Sequence, residues 1–510
     1  MNETASNRTK KVTSDSIFRV VSVSKNFATL SALVVENESK LQTAFPELTI
    51  DTPVRLVLPE FGLPEKDWLS GGRDITLLML ASHTSGLPRE SYLTPFNMVT
   101  GSGKADAPTI GGLWASSTSA QLLESTRKTN LMFAPGQRAG YSNAGIAILA
   151  SAVVSYYNNL HGSNLTWTQF AVQEILAPLN LTHSFFGTIP LELIPYIGIP
   201  GGPNFVDLIV GLGYDPAVGM WSSANDLTKY LHHIWLCPEP LPLITSAQRR
   251  RILRPTISLP DGKQQAGPGW EIDLITISSS SDVSTSLQSK TYASYGKSGD
   301  GGGFHAWIDV IPNLGYGIVV LSQHSGLPEY ARIVPTSVRN SIHEFLIPAF
   351  AEVLTERMKD RFAGSYTDGR DGGAIPEETE GAGSNKTSYG RLEVKDQILY
   401  LRELTINGTS ALEGLDRLGW EGNDGPRLWS TPEGVALTPA EGAGENEEFG
   451  PGAQVWRMIL PGLEVCDWFD FDGYTDQNGW PLSKVVLIEG KGSAELHYPP
   501  YDIVLSRNIN

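Results

Sequence analysis

A chain of 510 residues is longer than one compact core usually holds and fits two domains. Its formal charge of -17 and pI near 5.0 would repel a polyanion, which excludes nucleic acid as a partner. Only Cys237 and Cys466 are present, so a disulfide scaffold and a cysteine-built zinc site are excluded, and at most one bridge could join them.

No run of roughly eighteen apolar residues exists, so no membrane span is expected. The segment from Met1 to Val12 lacks the apolar core of a signal peptide. Against that stand seven N-x-S/T acceptors, at Asn2, Asn7, Asn37, Asn164, Asn180, Asn385 and Asn407. Their density favours a secreted glycoprotein whose export signal lies upstream, with a cytoplasmic protein as the alternative.

The first apolar-periodic segment begins at "FRVVSVSKNF", residues 18 to 27. Phe27, Leu30, Leu33 and Val34 follow at helical spacing, so Ser22 sits near a helix N-terminus with Lys25 one turn on. "ITLLMLASHTSGLP" reads as an apolar helix ending in a Gly/Pro turn, and "PGQRAGYSNAGIAILASAVVSYY" as a tight turn before a second buried helix. Residues 292 to 322 hold three strand-like runs separated by Gly-rich and Pro-Asn turns, an antiparallel meander. A long helix over 336 to 359 follows, with Val338, Ile342, Phe345, Ala349 and Val353 as its apolar stripe and a kink expected at Pro348. After Phe362 a Gly-rich acidic stretch leads into alternating short strands, so residues 361 to 510 read as a separate all-β domain, a barrel or curled sheet.

S-x-x-K alone is weak, since roughly one match is expected by chance in a chain of this size. Its company strengthens it: Tyr141-Ser142-Asn143 follows the Pro135-Gly136 turn, and Lys297-Ser298-Gly299 ends the first strand of the meander. A serine hydroxyl needs a base, and Lys25 can serve if burial and a second cation lower its pKa. Tyr141 is a candidate proton carrier, Asn143 a contact for a substrate amide or for the Lys25 ammonium, and Lys297 a point charge for a carboxylate. The backbone N–H groups of Ser22 and Asp300 are the candidate oxyanion hole. The bland readings are a helix cap, a turn and a strand end.

With these motifs the chain resembles the serine β-lactamase-related hydrolases, which include class C β-lactamases, penicillin-binding DD-peptidases and related esterases. "DSIFRVVSVSK" looks like the first motif, "PGQRAGYSNAGIAILA" the Tyr motif, and "YGKSGDGGGFHAWIDVIPNLGYGIVVLS" the third motif with its flanking strands. The resemblance covers residues 14 to 350. It implies an α/β (α+β) β-lactamase/transpeptidase-like domain over 1–360, its antiparallel sheet flanked by helices, and a lipocalin-like β-domain over 361–510.

By the same resemblance Ser22 is the acylated nucleophile, Lys25 and Tyr141 handle protons, and Asn143, Lys297, Ser298 and Gly299 line the substrate. The implied reaction is acyl-enzyme hydrolysis of a small-molecule or peptide-like ester or amide, carboxylate-bearing β-lactams included, without cofactor or metal. The alternatives are an acyltransferase or transesterase of secondary metabolism and, in another class, a non-catalytic binding or scaffold protein. His83 reads as a buttress of the helix end, His305 stays open, and the pair His232-His233 lacks partners at metal-ligand spacing. Relatives carry a first helix and two strands before the nucleophile, whereas twenty-one residues precede Ser22 here. We therefore expect an N-terminally truncated form whose strand 316 to 322 lacks a neighbour.

Overall fold

The computed structural model describes residues 11–41, 46–64, 74–90, 117–198, 211–238, 241–278, 289–323, 335–369, 387–395, 397–418, 421–422, 425–426, 429–440, 448–459, 474–489 and 494–508. The chain forms two compact units, Met1–Ile277 with Lys290–Glu344, and Ser278–Ser289 with Phe345–Asn510. Asn2, Asn7, Asn385 and Cys466 lie outside the described residues.

In the first unit, strand β1 (Ile17–Arg19) pairs antiparallel with β2 (Trp221–Ser223) and delivers the chain into helix α1 (Ser24–Ser39) through a tight turn at Val21–Val23. Helix α2 (Leu77–Ala81) is short and starts at Thr76, whose side chain accepts the Met79 N–H. Helix α3 (Asn143–His161) is apolar on nearly all its faces, the signature of a helix with no solvent side. Accordingly Ile146, Leu149 and Val153 are buried, and α1 packs along it. Gly162, in the left-handed region at φ 63, ends it.

Among the described residues the larger sheet of this unit has six strands in sequence order, β3 (Ile257–Ser258), β4 (Gln264–Gly267), β5 (Trp270–Ser278), β6 (Ser289–Gly301), β7 (Phe304–Ile311) and β8 (Tyr316–Gln323). Strands β6 to β8 are the expected antiparallel meander. Among the described residues β8 pairs only with β7. No described helix is long and apolar enough to cross a membrane.

Helix α4 (Pro335–Phe362) runs unbroken through Pro348, and its buried face is not the expected stripe. Phe345 and Val353 are exposed, whereas Arg339, His343, Ile347 and Ala351 are buried at a spacing of four. The reason is a charge on the sheet. Asp309 of β7 is fully buried and accepts hydrogen bonds from Ser294 Oγ, Trp307 Nε1 (3.2 Å), Arg339 Nε and His343 Nε2 (3.1 Å). Arg339 also reaches Asp273, and Tyr316 OH lies 2.8 Å from His343 Nδ1. A buried carboxylate must be paired, so it selects a polar helix face that a search for apolar periodicity passes over.

The second unit is a closed antiparallel barrel of eight strands. They are β9 (Gly364–Thr367), β10 (Tyr389–Lys395), β11 (Ile398–Ile406), Val435–Pro439, Ala453–Ile459, Lys484–Glu489, Ala494–Tyr498 and Ile503–Arg507. Each pairs with the next in sequence, and the last pairs with β9, so the ring is up-and-down. Closure removes free strand edges. Leu392, Leu401, Val435, Met458, Leu487 and Leu496 are buried and pack together in its core.

Candidate active site

The nucleophile candidate is placed by local strain and by a glycine. Val21 stands at φ 48, a left-handed conformation that β-branched residues rarely adopt. The turn is tied down from both sides. Val20 N–H donates to the Met220 carbonyl (3.0 Å), Ser24 Oγ donates to the Val21 carbonyl (2.6 Å), and Met220 N–H donates to Ser24 Oγ (3.0 Å). Strand β6 lies against this turn because Gly299 has no side chain: a Cβ there would stand 2.1 Å from the Val20 carbonyl oxygen and 3.2 Å from Ser22 N. Gly299 is thus a close-approach residue, which brings strand β6 against the backbone of Ser22.

Around Ser22 Oγ two donors converge. Lys25 Nζ donates to it at 2.9 Å and to the Ala217 carbonyl at 2.7 Å; Tyr141 OH donates to it at 2.7 Å. Lys25 follows Ser22 by three positions and so shares its face, whereas Tyr141 arrives from 119 residues away on the turn before α3. Lys25 Nζ and Lys297 Nζ lie 4.9 and 5.4 Å from the centre of the Tyr141 ring.

The electrostatics follow from burial. Burial disfavours the Lys25 ammonium and, with repulsion from Lys297, lowers its pKa from 10.5 to about 8, against the pull of Tyr141 and Glu90. Burial opposes ionisation of Tyr141 as well, but Lys25 and Lys297 outweigh it and hold the phenol below its ordinary value. Lys297 is fully buried, yet Glu271 and Tyr141 more than offset that cost and raise it. The site therefore holds a phenol of lowered pKa beside two lysines of unequal basicity.

His83 is buttressing. It adopts φ 60, its Nδ1 accepts the Ser142 N–H (3.2 Å), and its ring lies 4.6 Å from that of Tyr141. Burial, followed by Lys25 and Lys297, holds it well below 6.5, so it stays neutral and keeps Nδ1 as an acceptor. His305 pairs across the β6–β7 ladder with Asp300, its Nδ1 lying 3.1 Å from Oδ1. Among the described residues no group of His, Cys, Asp and Glu could hold a metal ion, His232 and His233 included.

Two carboxylates at the site carry no motif and escaped sequence reading. Glu271 of β5 contacts Lys297 Nζ and accepts from Ser298 N–H and Ser298 Oγ, each at 3.1 Å. Glu90 Oε1 accepts from Asn143 Nδ2 at 2.6 Å. Glu271 is adjacent to Lys297 and Ser298 only through β5–β6 neighbourhood, and Glu90 only through the fold of the segment after α2. The sequence held one usable hint for Glu271, a lone acid in the apolar run "GWEIDLITI". Of the glycan candidates, Asn164, Asn180 and Asn407 are exposed, and Asn37 is half-buried within α1.

The "Beta-lactamase" family model matches residues 3–341. The chain is 25% identical over 442 residues to a beta-lactamase-like protein of Arthroderma benhamiae, covering 81% of this chain and 64% of that one. It is 25% identical over 334 residues to a beta-lactamase of Yersinia enterocolitica, covering 61% and 75%. A solved octameric penicillin-binding protein homologue from Pyrococcus abyssi aligns over 97% of this chain and 89% of that one, with a TM-score of 0.48 and 18% identity. Three curated relatives are spanned over 64%, 55% and 59% of their own lengths. With a family model matched over residues 3–341 of 510, an α/β unit of the β-lactamase/transpeptidase type and an eight-stranded barrel after it, the chain belongs to the beta-lactamase family.

Proposed function

We propose that this protein is a serine hydrolase that opens an ester or amide through an acyl-enzyme on Ser22. The observation that carries the reading is the convergence of Lys25 Nζ and Tyr141 OH on Ser22 Oγ, at 2.9 and 2.7 Å. Membership of the family points the same way.

In the proposed cycle Lys25, whose proton leaves near pH 8, takes in its neutral form the Ser22 hydroxyl proton as Oγ bonds to the substrate carbonyl carbon. The carbonyl oxygen becomes an oxyanion, held by the N–H groups of Ser22 and Asp300. Tyr141 relays the proton to the leaving alcohol or amine as the C–O or C–N bond breaks. Water then attacks the ester, its proton passing to the same pair, and Ser22 is restored.

Substrate choice is constrained by Glu271. Lys297 Nζ, Ser298 N–H and Ser298 Oγ, the groups expected to receive a substrate carboxylate, already hold this internal one. A carboxylate-bearing substrate must displace it, so an uncharged group at that end is favoured. We read the barrel as lipocalin-like on its up-and-down order of eight strands, and the exposed Asn164, Asn180 and Asn407 support a secretory route.

The test is intact mass after incubation with a p-nitrophenyl ester and with a penicillin-type donor, for the wild type and Ser22→Ala. An acyl adduct lost in Ser22→Ala is expected. An adduct that persists in Ser22→Ala would refute the nucleophile, and no adduct with either donor would favour a scaffold.

A further inference from the structure

The carbonyl that holds Lys25 belongs to a segment with a buried acid at its head. Ala217, which accepts from Lys25 Nζ at 2.7 Å, lies in the helical turn Asp215–Gly219, packed against α1 and α3. Asp215 is 1% exposed, and its carboxylate folds back over this turn: a Cβ on Gly219 would stand 2.2 Å from Oδ1, so only glycine leaves it room. Thr168 Oγ1 donates to Asp215 Oδ2 at 3.1 Å. Thr168 belongs to the short helix Trp167–Ala171, which starts with a Thr166–Gln169 capping box, and Trp167 Nε1 donates to Ser31 Oγ of α1 at 3.2 Å. The contacts close a ring, from Lys25 along α1 to Ser31, through Trp167 and Thr168 to Asp215, and through Ala217 back to Lys25.

The charge of Asp215 ties in a further element. Arg19 of β1, three residues before Ser22, is buried with its guanidinium 4.5 Å from the centre of the Trp221 ring of β2. Among the described residues it is the charge that acts on Asp215, and each holds the other toward its ionised form. Burial nevertheless dominates and lifts the Asp215 pKa from 3.8 to about 6. Its Oδ1 accepts no hydrogen bond among the described residues. An acid so placed costs stability at neutral pH, so stability does not account for it.

We infer that Asp215 is a positioning residue for the acylation step: its ionised carboxylate holds the turn 215–219 against α1 and β1, so that the Ala217 carbonyl keeps Lys25 Nζ within hydrogen-bond reach of Ser22 Oγ. It acts through Ala217 rather than on the substrate. The consequence for Lys25 has a definite sign. A carbonyl that accepts from an ammonium favours the charged form, so a turn that drifts from Lys25 lowers its pKa further. The inference rests on the serine hydrolase reading for its kinetics, though not for its unfolding measurement.

Both are made on Asp215→Asn, whose amide oxygen still accepts from Thr168 while the charge is gone. In p-nitrophenyl acetate hydrolysis kcat should fall about tenfold at unchanged KM, since the base is displaced and the substrate contacts are not. The limb of the rate profile near pH 8 should move down by roughly half a unit. In urea unfolding Asp215→Asn should be at least as stable as the wild type at pH 7, where the buried charge is present in full, and any gain should vanish below pH 3.8, where folded and unfolded states both hold the proton. The stability difference between the Lys25 and Lys25→Met proteins, measured with and without Asp215→Asn, should begin to change at lower pH with it. Thr168→Val, which removes the same hydrogen bond from the helix side, should lower kcat and move the limb in the same direction, and it decides the matter if Asp215→Asn does not fold. A kcat within about twofold of the wild type, or a Lys25 limb that stays in place, overturns the positioning role and leaves the hydrolase reading standing. Absence of ester turnover in the wild type overturns the hydrolase reading, and the unfolding comparison on Lys25 then decides the positioning role alone.

Discussion

Replacing Lys25 by methionine should make the protein more stable at neutral pH while abolishing acylation. Lys25 is fully buried, and its pKa lies at about 8 against 10.5 unperturbed. That interval corresponds to roughly 3 kcal/mol of burial cost at pH 7. Below pH 8 both folded and unfolded states bind the proton and the cost is present in full. Between 8 and 10.5 the unfolded state binds more protons than the folded one, so wild-type stability rises with pH, and above 10.5 the cost is gone. Lys25→Met removes the cost but strands the Ala217 carbonyl, whose partner at 2.7 Å is lost, at about 1–3 kcal/mol. The variant should therefore be about 1 kcal/mol more stable than the wild type at pH 7 and, as the difference shifts by roughly 3 kcal/mol, about 2 kcal/mol less stable by pH 10.5. Urea unfolding at both pH values measures it, with Tyr141→Phe in both proteins so that titration of the coupled phenol cancels. A stability difference that does not change with pH would refute the assignment of Lys25 as a buried, destabilised base.

The pH profile of kcat/KM should ascend near pH 8 as the proton leaves the Lys25–Tyr141 pair, and Tyr141→Phe should move that limb to lower pH because the phenolate raises Lys25; a move upward would contradict it. Gly299→Ala forces a Cβ to within 2.1 Å of the Val20 carbonyl, so the ester rate should fall by about 100-fold with little change in far-UV circular dichroism, and a rate within a few-fold of wild type would mean that β6 and the Ser22 turn can part freely. Glu271→Gln should raise kcat/KM for a carboxylate-bearing ester relative to a neutral one by about 10-fold, the worth of one charge-assisted hydrogen bond, and an unchanged ratio would show that Glu271 does not compete with substrate. Arg339→Leu strands the buried Asp309 and should cost about 3–5 kcal/mol in urea unfolding at pH 7; a loss below about 1 kcal/mol would mean that the network does not hold α4.

The sequence alone determined what local chemistry can write. The apolar run after Tyr141 could only be a buried helix, the Gly-rich turns between strand-like runs could only be a meander, and Ser22 and Lys25 share a face because three residues make nearly one turn. The change of composition after Phe362 announced the barrel. What the tertiary structure decided are pairings between elements far apart in the chain. The Lys25 pKa falls to about 8 because burial and Lys297 act on it at once, and neither is visible in "SVSK". Glu271 and Glu90 enter the site through strand neighbourhood and the fold of the segment after α2, from stretches without a motif. The buried face of α4 is polar at Arg339 and His343 because Asp309, on another element, dictates it. In each case the side chain's role is set by the partners that remove it from water, and those partners are chosen by the fold.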